Sequence, residues 1–438
     1  MKTTGLQQNR NYNGGASFRR FLCMVSSVSL LCGCTTAKET AYTADPNATA
    51  LMDAVTASGT SETVIEDDLT WIDRYLDSYM NEGDTLPSET SNGTAITWSV
   101  VSGNAELSDN AIHKTDTASE YEPIVLHALL ANGEEQDFGN ILLLDACAGY
   151  VMTYFTKEDD DKETLKLAYS YDGEYWYHLN DDKSVVQATL GTKRLRDPSV
   201  VRRKDGSFTV IATEGYDNPS IYAFDTANFV TYTNERLIQV NTSSASLSMS
   251  ESQAWAPEGF YDRRSDAYVL YWSSPDDGGM FYNTSSDLET VSEPASLLDA
   301  GFTVIDGTIV KEGAHYSIIL KDEREPMEEY SQLFIGYSDT DYLHFTRFGN
   351  PITGHQSEGP FVLKRKDHDN DVLVYYDDYT RYQFQALWGY NVYEDTLVDL
   401  GSDNMLVPMS EPSHASAIPV TWKELERLKA VYGNTSDN

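Results

Sequence analysis

The sequence predicts an all-β protein in which a five-bladed β-propeller follows a small β-domain. Four segments share one layout: an acidic residue, a short apolar strand, a turn and a second apolar strand. The repeats begin 48 to 61 residues apart, a period typical of four-stranded propeller blades. The 29 Tyr, 15 Phe and 7 Trp also suit pleated sheets, on which aromatic side chains pack well.

The first 34 residues are predicted to be a targeting segment rather than part of the fold. Arg19 and Arg20 precede the apolar run 21–31, which is well short of the ~20 residues that a membrane span needs. Residues 31–34, Leu-Cys-Gly-Cys, resemble a bacterial lipobox in which Cys34 carries the lipid. This resemblance implies a lipoprotein anchored to a membrane, at the cell surface or in the periplasm.

Residues 35–60 are rich in Thr, Ala, Ser and Asp, the composition of a flexible linker. Loss of residues 1–33 removes two of the four cysteines, and Cys34 would be acylated. Because only Cys147 then remains, we expect a fold that does not depend on disulfides. Cys147 lies in an apolar stretch, which favours a small buried residue over a nucleophile.

Residues 61–146 are predicted to form the small β-domain. A helix is expected over 69–79, followed by strands over 95–101, 124–130 and 138–144 that are separated by Gly, Asn and Asp turns. The stretch 96–99, Ile-Thr-Trp-Ser, followed by 124–131 resembles an atrophied bacterial immunoglobulin-like domain. The resemblance implies a β-sandwich that acts as a spacer or stabilising module.

Residues 147–420 contain the internal repeat and are predicted to form the propeller. Each repeat has an inner half, which begins with an acidic residue, and an outer half with a similar pattern of aromatic residues. The inner halves begin at Asp197, Glu258, Asp306 and Glu358, and the outer halves begin at Leu167, Ile221, Phe281, Phe334 and Leu387. The outer half at Leu167 therefore has no inner partner beside it in the chain.

The missing inner strand is predicted at the other end of the repeat region, where His414 opens the stretch 414–420. This strand would pair with residues 149–178 and close a ring of five blades. Residues 421–438 then form a short helix, with Leu425, Leu428 and Val431 on one face, and a tail.

The residues that open the inner strands are the candidate site. In a propeller the innermost strands line a central channel, so we expect Asp197, Glu258, Asp306, Glu358 and His414 to converge at one end of it. Several carboxylates in one cavity are costly unless a substrate, a cation or a proton uses them. Glycoside hydrolysis uses such a set, since one carboxylic acid protonates the leaving oxygen and one carboxylate activates water.

Four short motifs in order resemble glycoside hydrolase family 43. They are Arg-Asp-Pro-Ser at 196–199, Trp-Ala-Pro-Glu at 255–258, Ile-Asp-Gly at 305–307 and Glu-Gly-Pro at 358–360. The resemblance implies that Asp197 is the general base, that Asp306 orients and tunes the acid, and that Glu358 is the general acid. It also implies inversion of the anomeric centre.

Further residues are expected to bind substrate or an ion. The motifs place Arg196, Trp255 and Glu258 at the pocket, although Trp255 could equally belong to the core. Lys321 and Arg381 follow inner strands, where they could reach sugar hydroxyls or simply lie on the solvated surface. The chemistry needs no cofactor, although the resemblance implies that His414 lies near either a central, structural calcium ion or a water cluster. The chain departs from the family pattern at 413 and 415, where Ser and Ala stand in place of Arg and Gly, and at Gly307, where Pro is common.

The formal net charge of −38 argues against nucleic acids and polyanionic pectates as ligands and favours a neutral plant glycan. The leading hypothesis is an exo-acting α-L-arabinofuranosidase, with β-xylosidase or galactofuranosidase activity as close variants. A fructan-cleaving enzyme is disfavoured because the chain has no Asn-Asp-Pro-Asn-Gly-like run. The alternative is a surface glycan-binding lipoprotein that has lost catalysis.

Overall fold

The computed structural model describes residues 66–157, 161–242, 252–365, 371–381, 383–393, 397–401, 404–407, 409 and 411–433. The predictions for the targeting segment, Cys34 and the linker lie outside these residues. Neither α-helix in the described ranges has the length and apolar character to cross a bilayer.

Residues 68–144 form one helix and six strands. The helix α1 (Asp68–Tyr75) is followed by β1 (Tyr79–Asn81), β2 (Ile96–Ser102), β3 (Ala105–Ser108), β4 (Ala111–Lys114), β5 (Tyr121–Leu130) and β6 (Glu135–Leu144). Four strands make a sheet in the order β1-β6-β5-β2, in which β1 and β6 are parallel, and β3 pairs with β4 in a separate two-stranded sheet. Alternate residues of β5 from Ile124 to Leu130 are buried, as expected for a sheet with one face on a core.

The remaining strands form five four-stranded antiparallel sheets. They are β7 (Cys147–Thr156), β8 (Lys166–Ser170), β9 (Trp176–His178), β10 (Leu195–Arg202), β11 (Phe208–Glu214), β12 (Ser220–Thr226), β13 (Tyr232–Gln239), β14 (Trp255–Asp262), β15 (Ala267–Ser274), β16 (Gly279–Ser285), β17 (Ala295–Ser296), β18 (Val304–Glu312), β19 (His315–Asp322), β20 (Leu333–Ser338), β21 (Arg347–Pro351), β22 (Ser357–Lys364), β23 (Val372–Asp378), β24 (Gln383–Gly389), β25 (Val398–Asp399) and β26 (Pro412–Thr421). The helix α2 (Trp422–Tyr432) follows directly.

Four of these sheets are consecutive in the chain, namely β10–β13, β14–β17, β18–β21 and β22–β25, and the fifth has the order β26-β7-β8-β9. The strand after Glu411 therefore pairs with the strand that begins at Cys147, as the repeat pattern predicted. The first strands of the sheets, β10, β14, β18, β22 and β26, contact one another in that cyclic order, and β26 contacts β10. The described chain is mostly β, and its sheets form a ring.

Hydrophobic clusters between neighbouring sheets form the core of the ring. The second strand of each sheet is buried on both faces, as in β11, where every residue is buried. Such strands appear in the sequence as continuous apolar runs rather than as alternating patterns. This is why the inner halves of the repeat could be recognised so readily.

Candidate active site

A bulge near the start of each innermost strand re-aims the site residues. The pairing register shifts between residues 196 and 199, 255 and 258, 305 and 308, 358 and 361, and 413 and 416. In four of the five strands, the residue that directly follows the last regularly paired residue has a positive φ. This angle is 47° at Asp197, 45° at Ala256, 53° at Asp306 and 55° at Gly359. A bulge of this kind turns side chains out of the regular alternation.

These bulges show that the four acids do not occupy one repeating position, which corrects the pattern expected from the sequence. Asp197 and Asp306 stand at the positive-φ position, whereas Glu358 stands one residue before it. Glu258 lies beyond the bulge, three residues after Trp255, at the next paired position of its strand. Glu258 therefore lies farther from the start of its strand's bulge than the other three carboxylates do.

Gly359 is required where Glu358 approaches the centre of the ring. Its φ is 55°, and a Cβ added there would lie 2.7 Å from Cγ of His414. Without strain, only glycine adopts this backbone conformation so close to the imidazole of His414.

His414 lies between two of the carboxylates. Its Nδ1 is 3.4 Å from Oδ1 of Asp197 and 3.9 Å from Oδ2 of Asp306. Burial alone would favour the neutral ring, but the charges of Asp306 and Asp197 raise the pKa of His414 to about 9. His414 is therefore a cation at neutral pH.

Asp197 is held in its ionised form. Burial opposes ionisation, yet the hydrogen bond and charge of His414 and the charge of Arg196 hold the pKa of Asp197 well below its usual range. The hydroxyl of Thr213 also donates to Oδ2 of Asp197 at 2.7 Å. A buried, ionised carboxylate of this kind can accept a proton from water.

Glu358 lies between two lysines. The Nζ atoms of Lys157 and Lys321 are each 3.3 Å from one of its carboxylate oxygens. Burial acts to raise the pKa of Glu358, but the charges of Lys321 and Lys157 lower it below its ordinary value. With 21% of its side chain exposed, Glu358 is more accessible than Asp197 at 12% or Asp306 at 7%, which suits a group that must reach a leaving oxygen.

Asp306 lies between His414 and the strand that carries Glu358. Its Oδ2 accepts a hydrogen bond from the backbone N–H of Gly359 at 3.2 Å, which fixes the residue next to Glu358. Burial raises the pKa of Asp306 to about 6, against the charges of His414 and Lys321. A second buried acid, Asp377, accepts a hydrogen bond from the hydroxyl of Ser413 at 2.7 Å, and burial raises its pKa to about 6.

Glu258 lies farther along the inner strands, where the charges of His414 and Asp306 still act on it. It accepts a hydrogen bond from the Tyr271 hydroxyl at 2.5 Å, and that hydroxyl also accepts from the backbone N–H of Ile309. Burial raises the pKa of Glu258 to about 7 in spite of the bond from Tyr271. These contacts tie Glu258 to neighbouring strands.

An aromatic wall stands beside the acids. The rings of Tyr216 and Trp255 meet edge to face with centroids 6.1 Å apart, and the Trp255 indole N–H donates to the Tyr216 carbonyl. The guanidinium of Arg196 lies 4.4 Å from the Tyr216 ring centroid and 3.5 Å from Glu163. Tyr216 is 43% exposed, so its ring is accessible to a sugar.

The two remaining predicted ligands have ion-pair partners within the protein. Lys321 is buried and pairs with Glu323 at 2.8 Å as well as with Glu358, so it acts on the acid rather than standing free for sugar hydroxyls. Arg381 is 67% exposed and pairs with Asp378 at 3.4 Å, in the turn after β23. Arg381 is therefore placed at the rim.

The residues around His414 do not fit a calcium ion. Calcium prefers six to eight oxygen ligands, which an imidazole does not supply. The described ranges contain no group of three or more His, Cys, Asp or Glu residues arranged to hold a metal. The positive charge at this position is supplied by His414 itself.

A large cavity lies away from these carboxylates. It has a volume of about 740 Å³ and lies at the opposite end of the innermost strands, against residues 75–86 of the small β-domain. Its lining includes Arg202, Arg263, Lys311 and Lys364 but none of the three carboxylates proposed for catalysis.

Sequence reasoning missed Lys157, Thr213, Tyr216 and Asp377. Lys157 is 201 residues from Glu358, and only the closing pair β26–β7 brings the two together. Thr213 and Asp377 lie on second strands opposite Arg196 and Glu358, so the pairing register was the one signal that could have found them.

A ring of strands brings three carboxylates together beside histidine and lysine cations, an arrangement that suits an O-glycosyl hydrolase. The family model described as a probable glycosyl hydrolase domain, related to glycoside hydrolase family 43, matches residues 145–426. The chain belongs to this family, which confirms the resemblance seen in its motifs. No curated protein sequence matches the chain.

Solved structures of glycoside hydrolases are similar to the chain at low identity. A thermostable family-43 glycoside hydrolase is 15% identical, with 52% of this chain and 81% of that chain covered and a TM-score of 0.42. The catalytic domain of a family-62 α-L-arabinofuranosidase from Coprinopsis cinerea is 13% identical, with 50% and 74% covered and a TM-score of 0.37. An endo-1,4-β-xylanase from Bacteroides thetaiotaomicron is 15% identical, with 49% and 74% covered and a TM-score of 0.38.

Proposed function

We propose that the chain is an inverting, five-bladed propeller glycosidase that removes neutral sugar units from plant cell-wall glycans. The observation that supports it best is the convergence of Asp197, Asp306 and Glu358, with Asp197 held ionised by His414. In this proposal Asp197 is the general base, Glu358 is the general acid and Asp306 positions and tunes Glu358.

The reaction is a single displacement. Asp197 accepts a proton from a water molecule as the water oxygen attacks the anomeric carbon. Glu358 gives its proton to the glycosidic oxygen as the bond between that oxygen and the anomeric carbon breaks. The turnover leaves Asp197 protonated and Glu358 ionised, and proton exchange with solvent restores both.

Protonation of Glu358 is the step that the free site makes difficult, because Lys321 and Lys157 stabilise its anion. A bound sugar would exclude water from the site, and desolvation favours the neutral carboxylic acid. The negative charge of Asp306, when ionised, acts in the same direction on Glu358. We therefore expect the enzyme to work best at mildly acidic pH.

The substrate class follows from charge and from the family. The formal net charge of −38 disfavours polyanionic chains, and the Tyr216 and Trp255 rings suit the apolar face of a sugar. We propose α-L-arabinofuranosides first, with β-xylosides and galactofuranosides as alternatives. The proposed place of action is the cell surface or periplasm, with the chain anchored by lipid at Cys34.

The test is hydrolysis of chromogenic arabinofuranosides, xylosides and galactofuranosides by the wild type and Glu358→Gln. The wild type is expected to cleave at least one, and the variant to lose about 10²- to 10⁴-fold in kcat because its amide cannot donate the proton. The control is Glu135→Gln, at a glutamate that is 65% exposed in the small β-domain. A wild type as inert as Glu358→Gln on the whole panel would instead favour a surface glycan-binding protein without catalysis.

A further inference from the structure

A row of aromatic rings lies on the fifth sheet and the start of α2, away from the acids. Trp422 is 55% exposed, Tyr171 is 41% exposed and Tyr177 is 39% exposed. Large rings usually bury most of their surface, so three of them side by side in solvent need an explanation. We call Trp422, Tyr171 and Tyr177 the aromatic platform.

The rings are aligned by contact with one another. Trp422 and Tyr171 stack with centroids 6.4 Å apart and planes 25° apart. The buried ring of Tyr169 stacks on Tyr177 at 5.1 Å and meets Tyr171 edge to face at 5.6 Å. Tyr169 thus joins the exposed rings into one continuous row.

A lysine fixes the row from the helix side. The Nζ of Lys429 donates to the Tyr171 hydroxyl at 2.5 Å and lies 5.2 Å from the ring centroids of both Tyr169 and Tyr171. The carboxylate of Glu426 lies 4.0 Å from the same amine. Rings that are already held in place lose little conformational entropy when a ligand binds.

The platform is remote from the catalytic site. Tyr171 follows β8 and Trp422 follows β26, at the end of β26 opposite to Ser413 and His414. The strand between His414 and Thr421 spans roughly 23 Å at the rise of an extended chain. A molecule on the platform therefore cannot touch Asp197 or Glu358 unless it is a polymer.

We propose that the aromatic platform is a second binding site for the neutral polysaccharide on which the enzyme acts, an inference that rests on the proposed function. Flat rings stack on the apolar faces of sugar units, and Lys429 and Glu426 supply a donor and an acceptor for hydroxyl groups. A polyanion is disfavoured by the net charge of −38. The platform would hold the polymer near the enzyme while other parts of it reach the acids.

The test measures retention of the protein on neutral polymers without turnover. Glu358→Gln alone, and with Trp422→Ala or Tyr171→Ala added, is run by affinity electrophoresis in gels that contain arabinoxylan, arabinan or galactan. Each loss of a stacking ring is expected to weaken retention on one or more of these polymers about two- to tenfold. Trp422→Phe, which keeps a ring, is expected to retain most of the binding.

The matched control is Tyr390→Ala, because Tyr390 is 65% exposed and packs on Trp388 in another sheet. Thermal melting by circular dichroism checks that each variant is folded. Equal retention of Trp422→Ala, Tyr171→Ala and Tyr390→Ala, or no retention of the parent on any polymer, overturns the proposal. Absence of hydrolysis by the wild type, with ring-dependent retention preserved, would reject the catalytic function and leave the platform standing.

Discussion

At the residue scale, the buried carboxylates of the site are each paired with a particular cationic side chain. His414 lies beside Asp197 and Asp306, while Lys157 and Lys321 flank Glu358. Each of these three carboxylates therefore has a cationic side chain within 4 Å, which allows the three acids to share a buried space. The same cations decide which carboxylate binds a proton most readily.

Lys157→Met tests this control of Glu358. In the proposed mechanism the reaction requires Glu358 to be protonated. The value of kcat/KM therefore falls as pH rises through the pKa of that carboxyl group. Lys157 lowers this pKa, so its removal is expected to move the alkaline limb of the kcat/KM profile to higher pH. The control is Lys204→Met, whose lysine pairs with Asp266 at the surface. An alkaline limb that stays in place or moves to lower pH would show that Lys157 does not set the ionisation of Glu358.

The sequence predicted that Asp197, Asp306 and Glu358 would lie together, and it could do so because their motifs are local. It misplaced Glu258, because a bulge inserts a residue into a strand without leaving a pattern in the sequence. It could not identify Lys157, whose partner is 201 residues away and whose own surroundings in the chain are unremarkable.

At the element scale, the buried ion pair between Arg202 on β10 and Glu424 on α2 joins the helix to the ring. Their atoms approach to 2.6 Å, and the two side chains are 4% and 2% exposed. Glu424 also completes a capping box with Thr421, so the same carboxylate fixes the start of α2. Two elements at opposite ends of the repeat region thus depend on one residue.

Arg202→Met is expected to cost about 3–5 kcal/mol of unfolding free energy, because it leaves the Glu424 carboxylate buried without its cation. Urea denaturation followed by tryptophan fluorescence measures the change. Arg427→Met, which breaks the exposed pair with Glu120, is the control and is expected to cost about 0–1 kcal/mol. Similar losses in the two variants would mean that burial adds nothing to the Arg202 pair.

The strands of the repeats were predictable because they are long, apolar and bounded by turns. The short strands β1, β3 and β4 were not, since three or four residues carry no periodicity. The predicted helix over 69–79 ends at Tyr75, because Leu76 turns to an extended conformation and the chain enters β1 at Tyr79. The immunoglobulin-like assignment of residues 61–146 stays a prediction.

At the scale of the whole molecule, the ring is closed by pairing the last strand with the first. The pair β26–β7 places His414 beside acids from two other sheets and Lys157 beside Glu358. This closure was predictable because an outer half without an inner partner must find one elsewhere in the chain. The electrostatic balance of the finished site was not predictable, since it depends on distances between residues that lie far apart in sequence.

The central claim is a single displacement in which Asp197 activates water and Glu358 protonates the leaving group. It is tested most directly by ¹H NMR of the first sugar released from the best substrate of the panel, recorded before mutarotation. The account predicts that the initial product has the anomeric configuration opposite to that of the substrate. An initial product with retained configuration would contradict it, because retention requires a covalent intermediate and a nucleophile in place of a base.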